Sequence, residues 1–169
     1  MNRPKRHGPN RLGNYLGIHE TVLGQLTYQG LVSEDRLKLD PGADGQLTLE
    51  GELLLRDGCL RLEVTKVLEI VEQTEDAGDT VVQTAKYSYN LSVPGLGNVF
   101  RYDSPHDDGA DIHHHQYHHR HEYFPFSGDT DHNVVKCDYE GDWPLLGEVI
   151  QEADDWYWLH SEELAKHRK

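Results

Sequence analysis

Alternating apolar and polar residues in the middle of the chain constrain the fold most. Leucines recur at alternate positions in residues 46–55, and a longer apolar series follows in residues 60–71. The turn Arg56-Asp57-Gly58 lies between them, and its glycine tolerates the positive φ of a tight hairpin. Two further strand-like segments, residues 81–91 and 99–102, follow after short connections. This arrangement predicts an antiparallel meander sheet.

The end of the chain has a helical pattern. Apolar residues recur at helical spacing from Leu145 to Tyr157, and Pro144 suits the first turn of a helix. We expect Asp142 or Trp143 to cap this helix. The fold class predicted is therefore α+β, an antiparallel meander β-sheet with a C-terminal amphipathic helix packed on one face.

The beginning of the chain is less regular. Residues 1–14 are rich in Arg, Pro, Gly and Asn, which predicts a flexible basic tail before a single α+β domain of residues 15–169. Residues 15–32 carry scattered apolar positions, and we expect a short helix or turn followed by a strand near residues 25–32.

Charge and cysteine content limit the setting and the partners. The chain has 30 Asp and Glu against 16 Lys and Arg, so its net charge of −14 opposes unspecific binding to a phosphate backbone. The acidity fits either a saline environment or a basic partner. Residues 1–30 contain no apolar segment of the secretory type, and no run of 18 apolar residues predicts a transmembrane helix. Two isolated cysteines, Cys59 and Cys137, form no disulfide pattern, so we expect a cytoplasmic protein.

Histidines are concentrated in one segment. Seven of the 12 histidines lie between His106 and His121, a stretch of 16 residues. An apolar core cannot satisfy so many imidazole nitrogens. Because imidazole transfers protons near neutral pH and binds transition metals, the segment predicts acid–base catalysis or metal binding in a loop-rich region at one end of the sheet.

Metal-independent RNA cleavage is the first hypothesis for this segment. His118 or His121 can supply the base and the acid, while Arg101 and Arg120 can hold the phosphate with their forked donors. Asp103 can orient an imidazole by accepting its N–H. This hypothesis needs no cofactor.

Two alternatives remain open at this point. His106, His118 and His121, together with Asp103, can offer nitrogen and oxygen ligands to a divalent transition metal such as zinc, although their spacing matches no specific zinc motif. The second alternative is a non-catalytic accessory subunit that binds nucleic acid or protein, with its acidic body facing a basic partner.

Two short elements and the closing helix resemble a known family. The sequence Phe-Arg-Tyr-Asp at residues 100–103, with Pro105 and His106, and the sequence His-His-Arg-His at residues 118–121 resemble elements of the TumE family of toxin–antitoxin proteins. The resemblance covers roughly residues 46–160. Ser104 stands where the family has asparagine, and Arg120 where it has lysine.

The resemblance implies a toxin with a partner antitoxin encoded nearby, and the acidic surface suits a basic, DNA-binding antitoxin. Together with the histidine segment, it predicts a toxin that acts on RNA. We expect His118, His121, Arg101 and Asp103 to be catalytic, with secondary roles for His106 and Arg120.

Overall fold

The computed structural model describes residues 7–42, 45–105, 117–127, 132–137 and 143–167. In these residues one nine-stranded sheet is combined with three helices. The strands are β1 (Asn10–Arg11), β2 (Val32–Asp35), β3 (Lys38–Pro41), β4 (Gln46–Leu55), β5 (Leu60–Glu72), β6 (Val81–Val93), β7 (Gly97–Asp103), β8 (His119–Glu122) and β9 (Asn133–Lys136). The helices are α1 (Leu12–Tyr28), α2 (Leu146–Leu159) and α3 (Ser161–His167).

The sheet is an antiparallel meander, as predicted. Its order is β2-β4-β5-β6-β7-β8-β9, with β1 beside β6 and β3 beside β4. Every pairing is antiparallel. The α+β class is therefore confirmed, and the last two helices lie at the C-terminal end of the chain.

The two faces of the sheet differ in composition. On the helix face, α1 and α2 cover alternate side chains of β5, including Leu62 and Val64, in one apolar core. The intervening side chains point to the open face, as Glu63 and Thr65 do. The core also holds residues from the helices: Leu23, Leu26, Val149, Ile150 and Ala153. Burial of this apolar area is the main force that joins the helices to the sheet.

Glycine accommodates positive φ angles at two points in β4 and its hairpin. The turn predicted at residues 56–58 is present, and Arg56, Asp57 and Gly58 have φ values of 48°, 55° and 78°. Gly51 has a φ of 142°, and a Cβ there would lie 2.3 Å from the carbonyl oxygen of Arg36. Gly51 thus permits the link between β2 and β3 to lie close against β4.

The N-terminal segment differs from the prediction. Asn10 and Arg11 pair with β6, and the first residues of α1 complete the part of the predicted tail that the structure describes. His7 stacks on Trp143 with ring centroids 4.1 Å apart, so the chain is already packed at this residue. Residues 1–6 lie outside the described residues. The short helix or turn expected in residues 15–32 is a 17-residue helix, and a strand begins only at Val32.

Two other element boundaries also differ. The N-cap of α2 is Leu145, where we expected Trp143 or Asp142, and Asp142 lies outside the described residues. Glu148 accepts a hydrogen bond from the Leu145 amide at 2.9 Å, which satisfies one of the donors at this helix end. Part of the segment predicted as loop-rich forms β8, because its backbone pairs with β7 and β9. Among the described helices, none has the length and hydropathy needed to cross a membrane.

Candidate metal centre

Strands β7 and β8 bring charged and histidine side chains together on the open face. Asp103 lies opposite His119, and Arg101 lies opposite His121. Because side chains alternate between the two faces of a strand, all four point to the same side of the sheet. Two residues from each strand thus meet in one cluster.

The cluster has the dimensions of a metal site. The Oδ2 atom of Asp103 lies 3.7 Å from Nε2 of His119 and 3.5 Å from Nε2 of His121. Ligand atoms of the three residues all lie within 4.8 Å of one another. Both separations are longer than a normal hydrogen bond, so these atoms of the carboxylate and the imidazoles face one another without a direct hydrogen bond.

Burial and hydrogen bonds hold two of these side chains in place. Asp103 is 3% exposed and His119 is fully buried. Arg101 donates from Nε to Oδ1 of Asp103 at 2.9 Å, which orients the carboxylate. Nδ1 of His119 lies 3.0 Å from the carbonyl oxygen of Tyr117. Since a carbonyl only accepts, Nδ1 carries the proton, and in the neutral ring Nε2 presents its lone pair toward Asp103.

His121 is held in its neutral form. Burial lowers the pKa of His121 to about 4, and the nearby His119, His132 and Arg101 act in the same direction. The Asp103 carboxylate opposes this shift without reversing it. At neutral pH the imidazole of His121 is therefore uncharged, which is the form that binds metals.

The predicted site residues divide between the two faces. Arg101, Asp103 and His121 come together, whereas His118 lies on the helix face. There its Nδ1 is 2.9 Å from the hydroxyl of Tyr87, and its ring stacks on Trp143 at 4.4 Å. Burial, followed by the effect of His119, lowers the pKa of His118.

Arg120 also lies on the helix face, away from the other predicted site residues. Its guanidinium donates to Oε1 of Glu152 at 2.7 Å and is positioned over the rings of Phe100 and Tyr102. Of the expected site residues, His106 lies outside the described residues.

His119 was not among the predicted site residues, although the sequence carried a signal for it. An Arg-x-Asp pattern on one strand and a His-x-His pattern on the next place four side chains on one face when the strands pair. The pattern is ambiguous in the sequence because three histidines lie within four residues. Either His118 or His119 can then be taken as the residue that lies beside His121 in the site. Only the strand register decides between them.

A polar cleft on the open face adjoins the cluster. It has a volume of about 600 Å³ and extends from Arg101 along the sheet to β3. Its lining includes Arg36, Lys38, Glu50, Glu52, Glu63 and Asn90. Arg101 lines the cleft and is 44% exposed along its side chain, so it connects this cleft with the buried carboxylate.

The described parts of the two elements that resemble the TumE family, residues 100–105 and 118–121, lie on and beside the adjacent strands β7 and β8. Comparisons with protein-family models, with curated proteins and with solved structures find no match for this chain.

Proposed function

We propose that this chain is a metal-binding protein whose centre consists of Asp103, His119 and His121 and holds a divalent transition ion such as zinc. The observation that carries the proposal is the convergence of three ligand atoms within 4.8 Å, from two buried residues and the half-buried His121. Two imidazoles and one carboxylate are a ligand set common to zinc and non-haem iron sites.

Bond lengths support this assignment. With zinc–ligand bonds of about 2.0–2.1 Å, neighbouring ligand atoms of a tetrahedral site lie about 3.3 Å apart. The two separations from Asp103, 3.5 and 3.7 Å, are within a few tenths of an ångström of that value. The ligand atoms of the two histidines lie within 4.8 Å of each other, so side-chain rotation would bring them closer around an ion.

The surroundings of the ligands also fit a metal. The backbone carbonyl of Tyr117 fixes the His119 tautomer, and Arg101 fixes the carboxylate of Asp103. Such outer hydrogen bonds typically orient the ligands of a metal and tune its affinity. Among the described residues the cluster supplies three ligands, and a zinc site with three protein ligands and a position for water or a substrate is the arrangement of catalytic rather than structural zinc.

An RNA-directed toxin of the TumE type is the second candidate function. It is supported by the position of the described parts of the two resembling elements on and beside neighbouring strands, with Arg101 available for a phosphate oxygen. In this candidate a basic, DNA-binding antitoxin binds the acidic protein in the cytoplasm. Because His118 lies on the helix face and His119 has no exposed surface, the geometry favours metal-assisted chemistry over a pair of imidazoles acting as acid and base.

Metal titration tests the first proposal. Untagged protein is stripped with EDTA, dialysed and titrated with zinc by calorimetry, in a background where His113, His114 and His115 are alanine to remove incidental binding. We expect one site per chain, and His119→Ala or Asp103→Ala should weaken it by about 100-fold or more, since each removes a ligand. His118→Ala is the matched control and should bind zinc normally. Equal affinity in all four proteins would contradict the proposal.

A second assay separates the two functions. Labelled cellular RNA is incubated with the protein, with and without EDTA. Cleavage that requires metal and is lost in Asp103→Ala would support both proposals, because the protein would then be a metal-dependent ribonuclease. Cleavage that persists in EDTA would point to imidazole catalysis, and a metal-bound protein that leaves RNA intact would exclude RNA as the substrate.

A further inference from the structure

A lysine occupies a core position of β5. The strand buries every second side chain, in the order Leu60, Leu62, Val64, Lys66 and Leu68. Lys66 is only 6% exposed and therefore lies among apolar side chains on the helix face. A charged side chain in such a position is costly unless it is paired, so its presence requires a physical reason.

An apolar pocket lies at this lysine. Its volume is about 290 Å³, near the lower end of the range for ligand pockets. The walls come from α1 and from the start of α2, and they include Ile18, Val22, Leu23, Leu145 and Leu146. Ile18 is 59% exposed and Leu145 is 37% exposed, so the apolar surface continues from the pocket to solvent.

Two polar groups in this pocket have unused bonding capacity. Among the described residues, no carboxylate pairs with the Lys66 ammonium, which lies 4.9 Å from the centre of the Tyr15 ring. The Tyr15 hydroxyl is buried and has no hydrogen-bond partner in the described part of the chain. Burial lowers the pKa of Lys66 to about 8, so the side chain is still largely protonated at neutral pH and its charge is poorly compensated.

We propose that this pocket binds a small carboxylic acid with an apolar tail. The carboxylate pairs with Lys66 and accepts a hydrogen bond from the hydroxyl of Tyr15, while the tail lies against α1 and the first turn of α2. A helix N-terminus carries partial positive charge, so the first residues of α2 in the lining add to the preference for an anion.

Size and charge favour a monocarboxylate over other ligands. One ammonium group balances one negative charge, whereas a phosphate dianion would leave excess charge in a protein that is already acidic. A neutral apolar ligand would leave both Lys66 and Tyr15 without partners, and buried polar groups without partners reduce affinity. Fatty acids of medium length and arylalkanoic acids meet both requirements.

Binding of octanoate, with octan-1-ol as the neutral control, tests this proposal by calorimetry on the full-length protein at pH 7. We expect octanoate to bind more tightly than octanol. Lys66→Met should weaken octanoate binding by about tenfold or more, because it removes a desolvated charge partner, while leaving octanol binding nearly unchanged. Tyr15→Phe should weaken octanoate binding by a few fold.

Controls keep this result separate from the metal centre and from misfolding. His119→Ala should bind octanoate as the unmodified protein does, because the metal centre lies on the opposite face of the sheet. Circular dichroism verifies that Lys66→Met is folded, and replacing a buried charge by an apolar side chain of similar length favours folding. Equal binding of octanoate by Lys66→Met, equal affinity for octanol and octanoate, or no octanoate binding at millimolar concentration would each overturn the proposal.

Discussion

The two faces of the sheet each bury a charged side chain, but they surround it differently. On the open face, Asp103 is paired with Arg101 and flanked by two imidazoles. On the helix face, Lys66 contacts an aromatic ring and, within the described residues, has no opposite charge at bonding distance. The carboxylate is therefore organised by its neighbours, whereas the lysine reduces stability unless a ligand accompanies it.

The cross-strand neighbours explain this difference. Asp103 lies between Ser88 and His119 in the sheet, both polar. Lys66 lies between Leu49 and Tyr87, which offer no negative charge. A charge in the first setting gains hydrogen bonds on folding, and a charge in the second mainly loses water.

Removing the charge of Lys66 should give the largest change in the free energy of unfolding. Lys66→Met should raise the free energy of unfolding at pH 7 by about 3 kcal/mol, the amount that corresponds to a pKa lowered from 10.5 to about 8. Urea denaturation of both proteins measures it. An unchanged or lower stability would mean that the ammonium is better compensated than the helix face indicates. Lys86→Met, on an exposed residue of β6, is the control and should change stability little.

The same substitution should show a defined pH dependence. Between about pH 8 and 10.5 the unfolded chain binds a proton at Lys66 that the folded chain has released, so the stability of the unmodified protein rises with pH in this window. The stability difference between Lys66→Met and the unmodified protein should therefore be full below pH 8 and vanish near pH 10.5. If the stability difference stays constant over this pH window, the effect of Lys66→Met on stability does not arise from the titration of Lys66.

Removing the acid on the open face should act in the opposite direction. Asp103→Ala should lower the free energy of unfolding in EDTA by about 2 kcal/mol, less than for a fully buried pair because Arg101 is 44% exposed and can recover water. Urea denaturation without metal measures it. Asp155→Ala, on an exposed residue of α2, should change stability little. If Asp103→Ala raised the free energy of unfolding, the buried charge on the open face would be destabilising too, and the two faces would not differ.

Breaking the ion pair between Arg120 and Glu152 on the helix face should have an intermediate effect on stability. Glu152 accepts from Arg120 and from the hydroxyl of Tyr102, at 2.7 and 2.8 Å, and so joins α2 to the sheet. Glu152→Gln should lower the free energy of unfolding by about 1 kcal/mol, measured by thermal or urea unfolding, because the partly exposed pair is screened by solvent. Glu162→Gln, on an exposed residue of α3, should have no measurable effect. Equal free energies of unfolding for Glu152→Gln and Glu162→Gln would show that the Arg120–Glu152 pair does not contribute to stability.

Sequence patterns predicted the sheet well where alternation was strong. The four strands β4 to β7 follow from their apolar residues at every second position, and α2 follows from its apolar stripe. Helix α1 was underestimated because it buries only Leu23 and Leu26 and has no capping side chain or acidic first turn. Strand β8 has few apolar residues and forms because its backbone pairs on both sides, which no local pattern reveals.

The site was predicted only in part for a related reason. Arg101, Asp103 and His121 were expected together, and their types were sufficient to suggest either catalysis or metal binding. The choice between His118 and His119 depends on a shift of one residue, which exchanges the two faces of a strand. Lys66 also interrupts an apolar alternation visible in the sequence, but a pocket around it becomes evident only when α1 and α2 are in place.

His118→Phe should have the smallest effect on stability, and its zinc affinity tests directly which face of the sheet each histidine occupies. His118→Phe keeps a ring to stack on Trp143 and loses the hydrogen bond to Tyr87, so unfolding should become easier by only about 1 kcal/mol or less. Zinc affinity in this variant should match the unmodified protein, while His121→Phe should lose it because a metal ligand is gone. Zinc titrations of the two variants, each made with residues 113–115 as alanine, measure this. A loss of zinc in His118→Phe would move the metal centre to the helix face and end the contrast between the two faces.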